Sequence, residues 1–249
     1  QALASGLNQL IGEQSEGIEL TASEYERLLE AVEGDASRDR LLGLVRALRL
    51  EPVDSRMRRL QSQALGIARR LEKPGVAIEF ETDDVRLASS RFREFWSSFV
   101  HILRNALDHG IEEASERTAS GKAGEGRLVL SARVEDERLV VTARDDGRGI
   151  DWERVRVRAE ERGLPAETRA DCIDALFTDG FTTRDKTTLI SGRGVGLGAV
   201  RQAARALGGT IDVRSELHSG TEFRFTFPLE TLQDSVYVDG GADSQLAPA

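Results

Sequence analysis

The chain is poor in the residues that build disulfide frameworks and metal clusters, and it has no apolar run of membrane length. Its 249 residues include one cysteine, Cys172, and three histidines. A single cysteine excludes an internal disulfide and a cysteine-built zinc site, and it fits a reducing compartment. No apolar run approaches the roughly 18 residues that a membrane span needs, and no signal-peptide pattern follows Gln1. We therefore expect a cytoplasmic protein.

Positive charge is also in deficit. The formal net charge is −9, which argues against a nucleic-acid surface, because such a surface needs a basic field to neutralise phosphates. With 39% hydrophobic and 31% charged residues, the composition is that of an ordinary globular protein. The length suits two unequal domains, each with its own core. A first residue other than Met and a small, polar end suggest a fragment of a longer protein.

The first part of the chain predicts helices. Between Thr21 and Lys73, apolar residues recur at helical spacing, and no strand-like alternation is present. Ser37 is a suitable helix cap, and Pro52 should separate a further helix from about Asp54 to Leu71. Such a small hairpin should pack on the next domain, on a copy of itself, or on both. "EKPG" at 72–75 marks the boundary.

After this boundary the pattern mixes strands and helices. Strands are predicted at 76–82, 127–134, 138–145, 210–216 and 221–229, and helices at 90–114, 151–177 with a break, and up to about 207. The strands come in adjacent pairs and not in regular β-α-β alternation. This order predicts an α+β fold with a largely antiparallel sheet and helices on one face.

A first motif with chemical potential is "HILRNALDHGIE" at 101–112. His101, Asn105 and His109 are spaced by four residues, so an α-helix would present them on one face. A lone helical histidine is more often a packing residue, but two of the chain's three histidines share this face with an asparagine. A zinc pair is conceivable, although the His-Glu-x-x-His pattern is absent. An asparagine instead suits a hydrated Mg²⁺ held together with phosphate oxygens.

A second motif, "RDDGRGID" at 144–151, lies where a strand should end. Asp145 can accept a hydrogen bond from the amino group of a purine, while Gly147 and Gly149 let a flat ring approach the backbone. An ordinary acidic turn is the alternative for any isolated "DDG".

A third motif is "LFTDGFTTRDKTTLISGRGVG" at 176–196, which contains a stretch without clear periodicity at 178–194 and ends in alternating glycines before a helix. A loop of this length is typical of a lid over a ligand or of disorder. Gly192, Gly194 and Gly196 would offer backbone N–H groups to phosphate at a helix start, with Arg193 adding charge, whereas a flexible surface loop is the alternative. No Walker-type motif exists in the chain. Gly194, Gly196 and Ala199 fit a loose dinucleotide fingerprint, but no parallel strands follow.

Together, the motifs resemble those of the GHKL ATPases: gyrase-type, Hsp90-type, MutL-type and histidine-kinase ATP-binding domains. Within that group, "HILRNALDHGIE", "DDGRGID", "LFTDGFTT" and "SGRGVGLGAV" are similar to the motifs of CheA-type chemotaxis histidine kinases. The resemblance covers about 75 to 230 and implies a two-layer α/β sandwich of the GHKL (Bergerat) type, preceded by a helical hairpin. The implied domains are a dimerisation and linker segment at 1–74, an ATP-binding kinase domain at 75–230 and a flexible tail at 231–249.

The resemblance also implies roles for individual residues. Asn105 would coordinate Mg²⁺, and Asp145 would accept the adenine amino group, with Thr221 near the base. His101 would stand beside the polyphosphate, and our own mechanistic hypothesis is that it orients or deprotonates the incoming histidine. The remaining positions would line the base, the lid or the phosphates: Arg104, Asp108, His109, Gly147, Gly149, Phe177, Gly180, Phe181, Gly192, Arg193, Gly194, Val195, Gly196 and Leu197.

The implied function is that of an Mg-ATP-dependent histidine kinase in a two-component phosphorelay. It would transfer the γ-phosphoryl group to a separate histidine-phosphotransfer domain that serves a response regulator, and it would be a homodimer through its N-terminal helices. Leu197 to Val200 depart from the usual Met-Asp-Val-Val, which indicates a divergent relative. Two other classes stay open: an ATPase that switches conformation without phosphohistidine, and a dimeric scaffold.

Overall fold

The computed structural model describes residues 20–73, 75–181, 196–232 and 235–238. Two compact units divide the chain, with the boundary between Arg49 and Leu50. None of the helices in these ranges is long and apolar enough to cross a bilayer. The boundary predicted at residue 74, between a dimerisation segment and a kinase domain, is a division by function and stays a prediction.

The first unit contains the expected helical hairpin. Helix α1 (Ala22–Glu33) starts with a capping box, in which the Thr21 hydroxyl accepts from the backbone N–H of Glu24 and the Glu24 carboxylate accepts from that of Thr21. Helix α2 (Arg38–Ala47) follows a short turn, and the Ser37 hydroxyl accepts from the N–H of Arg40 at 3.3 Å. The predicted Ser37 cap is therefore confirmed.

The second unit begins with β1 (Glu51–Pro52), α3 (Val53–Arg70), β2 (Ala77–Thr82) and β3 (Val85–Leu87). Next come α4 (Arg93–Asn105), a π-helix (Ala106–Gly110), α5 (Ala114–Ala119), β4 (Arg127–Glu135) and β5 (Arg138–Asp145). The chain continues through α6 (Trp152–Glu161), α7 (Arg169–Leu176), α8 (Gly196–Ala206) and β6 (Thr210–Glu216). It ends with β7 (Gly220–Pro228), α9 (Leu229–Leu232) and β8 (Val236–Val238).

The second unit is built around a five-stranded sheet, in which the strand order is β2-β4-β5-β7-β6. The β2–β4 pair is parallel and the other pairs are antiparallel. One face is apolar because β7 alternates, so that Phe223, Phe225 and Phe227 point into the core. The other face carries polar pairs, such as the Ser131 and Thr142 hydroxyls 2.7 Å apart.

Among the described residues, helices pack on the apolar face. The rings of Phe95 and Phe99 on α4 lie 5.2 and 5.6 Å from that of Phe225, and buried residues of α3 and α8 belong to the same core. The result is the expected two-layer α+β sandwich. This packing fixes the position of α4, the helix that bears the first motif.

The structure contains a second, small sheet that the sequence pattern does not predict. Strands β1, β3 and β8 pair in the order β1-β3-β8, both pairs antiparallel. Val236 and Tyr237 are buried although they fall in the predicted flexible tail, so for these residues the structure differs from the prediction. Strands of two and three residues give too short a pattern to show alternation. The rest of the predicted tail after Val238 lies outside the described residues.

The predicted helix over 90–114 is divided in the structure. Helix α4 passes into the π-helix at Ala106, where the N–H of Ile111 donates to the carbonyl of Ala106 at 2.7 Å, five residues back. Lys73 closes this turn, because its Nζ donates to the carbonyls of Leu107 at 2.9 Å and Ile111 at 2.6 Å. A long-range lysine thus stabilises a turn that local periodicity cannot predict.

Candidate functional site

The π-helix sets the positions of the first motif. His101 and Asn105 share a face of α4 as predicted. The single α-helical face does not extend to His109, because the π-helical turn contains one residue more than an α-turn and changes the direction of the side chains after Asn105. Asp108 and His109 lie in the π-helix, with Asp108 Oδ1 3.3 Å from His109 Nδ1.

The end of the π-helix touches the second motif. An ideal Cβ on Gly147 would lie 2.2 Å from the carbonyl oxygen of Gly110, so this approach requires glycine. The N–H of Arg148 donates to the same Gly110 carbonyl at 2.8 Å. The first two motifs, 37 and 38 residues apart in the sequence at these two contact points, are therefore joined directly.

Asp145 ends β5 opposite Thr221 of β7. Both residues are buried, and Asp145 Oδ1 accepts the N–H of Gly147 at 2.9 Å. Burial raises the pKa of Asp145 to about 6, the charges of Asp146 and Glu112 add to the rise, and hydrogen bonds from the backbone of Gly147 and Thr221 oppose it. A buried carboxylate held at this strand end is a suitable acceptor for a ligand N–H group.

The turn after Asp145 is fixed against the β6–β7 turn. Gly149 has φ 72°, and a Cβ there would lie 2.0 Å from the carbonyl oxygen of Glu216. The carbonyl of Arg148 accepts the N–H of His218 at 2.7 Å. These contacts leave the turn with little freedom and explain why two glycines occur there.

The third motif reaches the first through its last glycine. Gly196 begins α8, and an ideal Cβ on it would lie 3.3 Å from the Cβ of His101. Leu197 packs against the main core. The predicted phosphate-facing residues Gly192, Arg193, Gly194 and Val195 lie outside the described residues.

The imidazole of His101 is suited to accept a proton. Partial desolvation of the ring lowers the pKa of His101, and the neighbouring charge of Arg104 lowers it further. A neutral imidazole near pH 7 has one nitrogen free as an acceptor.

The predicted lid residues lie where the chain approaches residue 182. Phe177 is buried edge-on against Phe223, with ring centroids 6.5 Å apart, and the guanidinium of Arg201 stacks 5.0 Å from its centroid. Gly180 has φ 72° and accepts a hydrogen bond from Arg162, whose guanidinium also stacks on Phe181. A cleft of about 450 Å³ lies beside Phe177, between the end of α7 and α8. In this part of the chain, Phe177 is thus a core residue at the edge of a cleft.

One group of functional interest escaped the sequence reasoning. Lys122 donates to the backbone carbonyls of Asp146 and Gly147, and Arg117 donates to that of Asp146. Glu112 pairs with both cations, and Glu112 and Arg117 are buried. Their spacing of five residues matches neither helix nor strand periodicity. The available signal was the cluster of charged residues directly after the first motif.

Comparison with known proteins assigns the family. The chain belongs to the histidine kinase-, DNA gyrase B- and HSP90-like ATPases, whose sequence profile matches residues 97–231, more than half of its length. The matched range includes α4 from residue 97 onward, the π-helix, Asp145 and α8. The predicted GHKL class and sandwich fold are thereby confirmed.

Individual proteins show which members of this family the chain is similar to. The chemotaxis protein CheA of Halobacterium salinarum is 33% identical over 91% of this chain and 35% of its own length. CheA of Treponema pallidum is 36% identical over 74% of this chain and 23% of its own. The histidine kinase domain of an Erythrobacter litoralis blue-light activated kinase is 17% identical, covering 90% of this chain and 88% of that domain with a TM-score of 0.46. The chain thus spans about a third or less of these two CheA proteins, and the predicted CheA-type resemblance is confirmed.

Proposed function

We propose that the chain binds Mg-ATP and transfers the γ-phosphoryl group to a histidine on a separate phosphotransfer domain, as a CheA-like histidine kinase. The observation that carries this proposal is the direct contact of three motifs: Gly110 with Gly147, and His101 with Gly196. Membership in the ATPase family and the similarity to CheA over most of the chain support it.

In this proposal the buried end of β5 receives the adenine base. The Asp145 carboxylate accepts the exocyclic amino group, Thr221 lies next to the base, and Gly147 and Gly149 permit close approach of the ring. The polyphosphate lies between the first and third motifs. Its neighbours would be Arg104, Asp108, His109, Gly192, Arg193, Gly194, Val195, Gly196 and Leu197, with Phe177, Gly180 and Phe181 at the lid.

The donor chemistry fits a Mg²⁺ ion shared with the nucleotide. Among the described residues, no three His, Cys, Asp or Glu side chains form a group that could hold a metal, which disfavours the zinc alternative there. Asn105 offers one neutral amide oxygen at the start of the π-helix, and Mg²⁺ in phosphate sites is usually held by one or two protein ligands, phosphate oxygens and water. When bound, the ion would neutralise phosphate charge.

The transfer itself demands mainly positioning. A nitrogen of the acceptor histidine forms a bond to the γ-phosphorus as the bond between that phosphorus and the bridging oxygen breaks, and ADP leaves with the electron pair. The acceptor imidazole must lose one proton. His101 is the residue proposed to orient it or take that proton, since the lowered pKa of His101 favours its neutral form.

The partners follow from the same proposal. A cytoplasmic phosphorelay would supply the phosphotransfer domain and a response regulator. A homodimer would form through the N-terminal helices, where Tyr25, Leu29 and Val32 expose apolar surface along α1. Their spacing of four and three residues places them on one stripe of that helix.

The test is phosphoryl transfer from labelled ATP to purified histidine-phosphotransfer domains. We expect Asn105→Ala to reduce labelling by at least about a hundredfold, because loss of one group that stabilises transition-state charge commonly costs this much. Gln63→Ala, which removes an exposed amide on α3, is the matched control and should keep full activity. Both variants should retain the melting temperature of the parent chain.

Other results would favour one of the two alternative functional classes. Phosphate release without any labelled protein would favour the ATPase switch. Dimerisation with no nucleotide-dependent thermal shift would favour the scaffold. Undiminished labelling in Asn105→Ala would remove Mg²⁺ coordination from the proposed role of this residue.

A further inference from the structure

A buried charge network lies directly behind the Asp145 turn. Lys122 Nζ donates to Glu112 Oε1 at 2.8 Å, and Arg117 Nη1 donates to Glu112 Oε2 at 3.1 Å. Arg117 Nη2 also donates to Asp146 Oδ2 at 2.7 Å. Arg117 is 1% exposed and Glu112 is 5% exposed. The two cations, Lys122 and Arg117, neutralise the charges of the two carboxylates, Glu112 and Asp146.

The cations also hold the backbone of the turn. The carbonyl oxygen of Asp146 accepts from Lys122 at 3.0 Å and from Arg117 at 3.2 Å. The carbonyl oxygen of Gly147 accepts from Lys122 at 2.7 Å. Two consecutive carbonyls are therefore directed at Lys122.

Fixing a carbonyl also fixes the N–H group of the same peptide unit. The peptide plane is rigid and trans, so the two groups point in opposite directions. Opposite the Asp146 carbonyl, the N–H of Gly147 donates to Asp145 Oδ1 at 2.9 Å. Opposite the Gly147 carbonyl, the N–H of Arg148 donates to Gly110 at the end of the π-helix at 2.8 Å. The cations thus orient both N–H groups toward the candidate site.

We propose that Lys122, supported by Arg117 and Glu112, positions the Asp145 carboxylate for the amino group of adenine by holding the Asp146–Gly147 and Gly147–Arg148 peptides. Lys122 is a positioning residue in this scheme and does not touch the nucleotide. The inference rests on the proposed ATP binding and adds a determinant of base specificity. The pKa of Glu112 agrees with this arrangement. Burial alone would raise that pKa, but the hydrogen bond from Lys122, a backbone hydrogen bond and the charges of Lys122 and Arg117 keep it below its usual value.

Lys122→Met tests this role with little risk to folding. Arg117 still pairs with Glu112 in this variant, so no buried carboxylate loses all its cations. The probes are ADP and purine riboside diphosphate, which lacks only the 6-amino group. The measurement is the ratio of their dissociation constants in the full chain with Mg²⁺, with the melting temperature as a check of folding. Lys122→Ala repeats the test with a smaller side chain should the Met variant unfold.

We expect the parent chain to prefer ADP by about tenfold or more, the usual range for a hydrogen bond to a charged group. Lys122→Met should lower this preference about tenfold while changing the affinity for the analogue less than about twofold. Arg127→Met is the matched control, because the backbone of Arg127 hydrogen-bonds with Asp146 of the same turn, whereas its guanidinium pairs with Glu79. It should keep the preference, which separates positioning from a general loss of positive charge.

The outcomes distinguish this inference from the proposed function. A parent chain that binds neither probe would overturn both. A parent chain that binds the two equally would remove Asp145 as the amino acceptor, and with it the role of Lys122, while nucleotide binding would stand. A normal preference in a folded Lys122→Met, or equal weakening of both probes, would overturn the positioning role alone.

Discussion

At the scale of single residues, Asp145 shows how a binding group can oppose stability. Its carboxyl is buried with a raised pKa of about 6, so the fold holds the charged form at a cost above that pH. A rise from 3.8 to about 6 corresponds to about 3 kcal/mol. The fold therefore keeps the charged carboxylate that would accept the ligand's amino group, at a cost in the free energy of unfolding.

This conflict predicts the behaviour of Asp145→Asn. At pH 7.5 the variant should be more stable than the parent chain, by up to about 3 kcal/mol in the free energy of unfolding, because it buries no charge. It should also bind ADP at least about tenfold more weakly, because it presents an uncharged amide to the adenine amino group. Chemical unfolding and calorimetric titration measure the two effects.

The sign of the pH dependence provides the control. Above pH 6 Asp145 is ionised in both the folded and the unfolded chain, and the full cost applies. As the pH falls from about 6 toward 4, the folded chain takes up the proton first and the cost disappears. The stability difference between variant and parent should shrink over this range. A difference that stays constant from pH 7.5 to pH 4 would contradict the raised pKa.

The residues of the site divide into those that the sequence can reveal and those that it cannot. Asp145, Gly147 and Gly149 were selected because a carboxylate with two glycines at a strand end forms a recognisable local pattern. Lys122 and Arg117 were not, because the backbone carbonyl of Asp146 that they hold lies 24 and 29 residues away, and only the fold brings these groups together. The roles of the selected residues stay predictions until nucleotide binding is measured.

At the scale of elements, the contact between the π-helix and the Asp145 turn is one of the closest backbone approaches of the site. Gly147→Ala would place a methyl group against the Gly110 carbonyl, which lies 2.2 Å from the ideal Cβ position. We expect a loss of about 1–3 kcal/mol in the free energy of unfolding. Hydrogen exchange of the amides in 106–111 should rise in parallel, since the turn must move away.

Gly66→Ala is the matched control for that substitution. Gly66 lies within α3, and a Cβ there would meet nothing within 4 Å. This variant should gain about 0.5–1 kcal/mol through better helix propensity. A Gly147→Ala chain as stable as Gly66→Ala would contradict the close packing of the two motifs.

The periodicity of the sequence predicts the long helices and strands but not the short ones. The sequence predicted the main strands, α3, α8 and the start of α4 to within a few residues, because their apolar stripes persist over several turns or alternations. It missed β1, β3 and β8, and it extended α4 as a uniform helix to residue 114, beyond the π-helix that follows Asn105. In each case the structure depends on a distant partner: β3 for the two short strands, and Lys73 for the π-helix.

At the scale of the whole molecule, the exposed apolar stripe of α1 supports assembly with a second copy. Leu29 is 41% exposed and Val32 59%. If these side chains form the proposed dimer contact, replacing both with glutamate should convert dimer to monomer, because buried unpaired charges oppose association. Light scattering over a range of chain concentrations measures the change.

Val157→Glu is the control for the dimer test. Val157 lies on α6 in the second unit and is similarly exposed, at 41%. This variant should keep the mass of the parent chain. An unchanged dimer in Leu29→Glu/Val32→Glu would move the contact elsewhere, and a monomeric parent chain would exclude the homodimer.

The short sheet has a mechanical consequence. Strand β1 starts one residue after the boundary between the two units, β8 is the last described strand, and both pair with β3. Tension applied between Glu51 and Val238 would therefore load these two short ladders directly. Because only residues 83–84 separate β3 from β2, a pull on β3 is also transmitted along the chain to the edge strand of the five-stranded sheet.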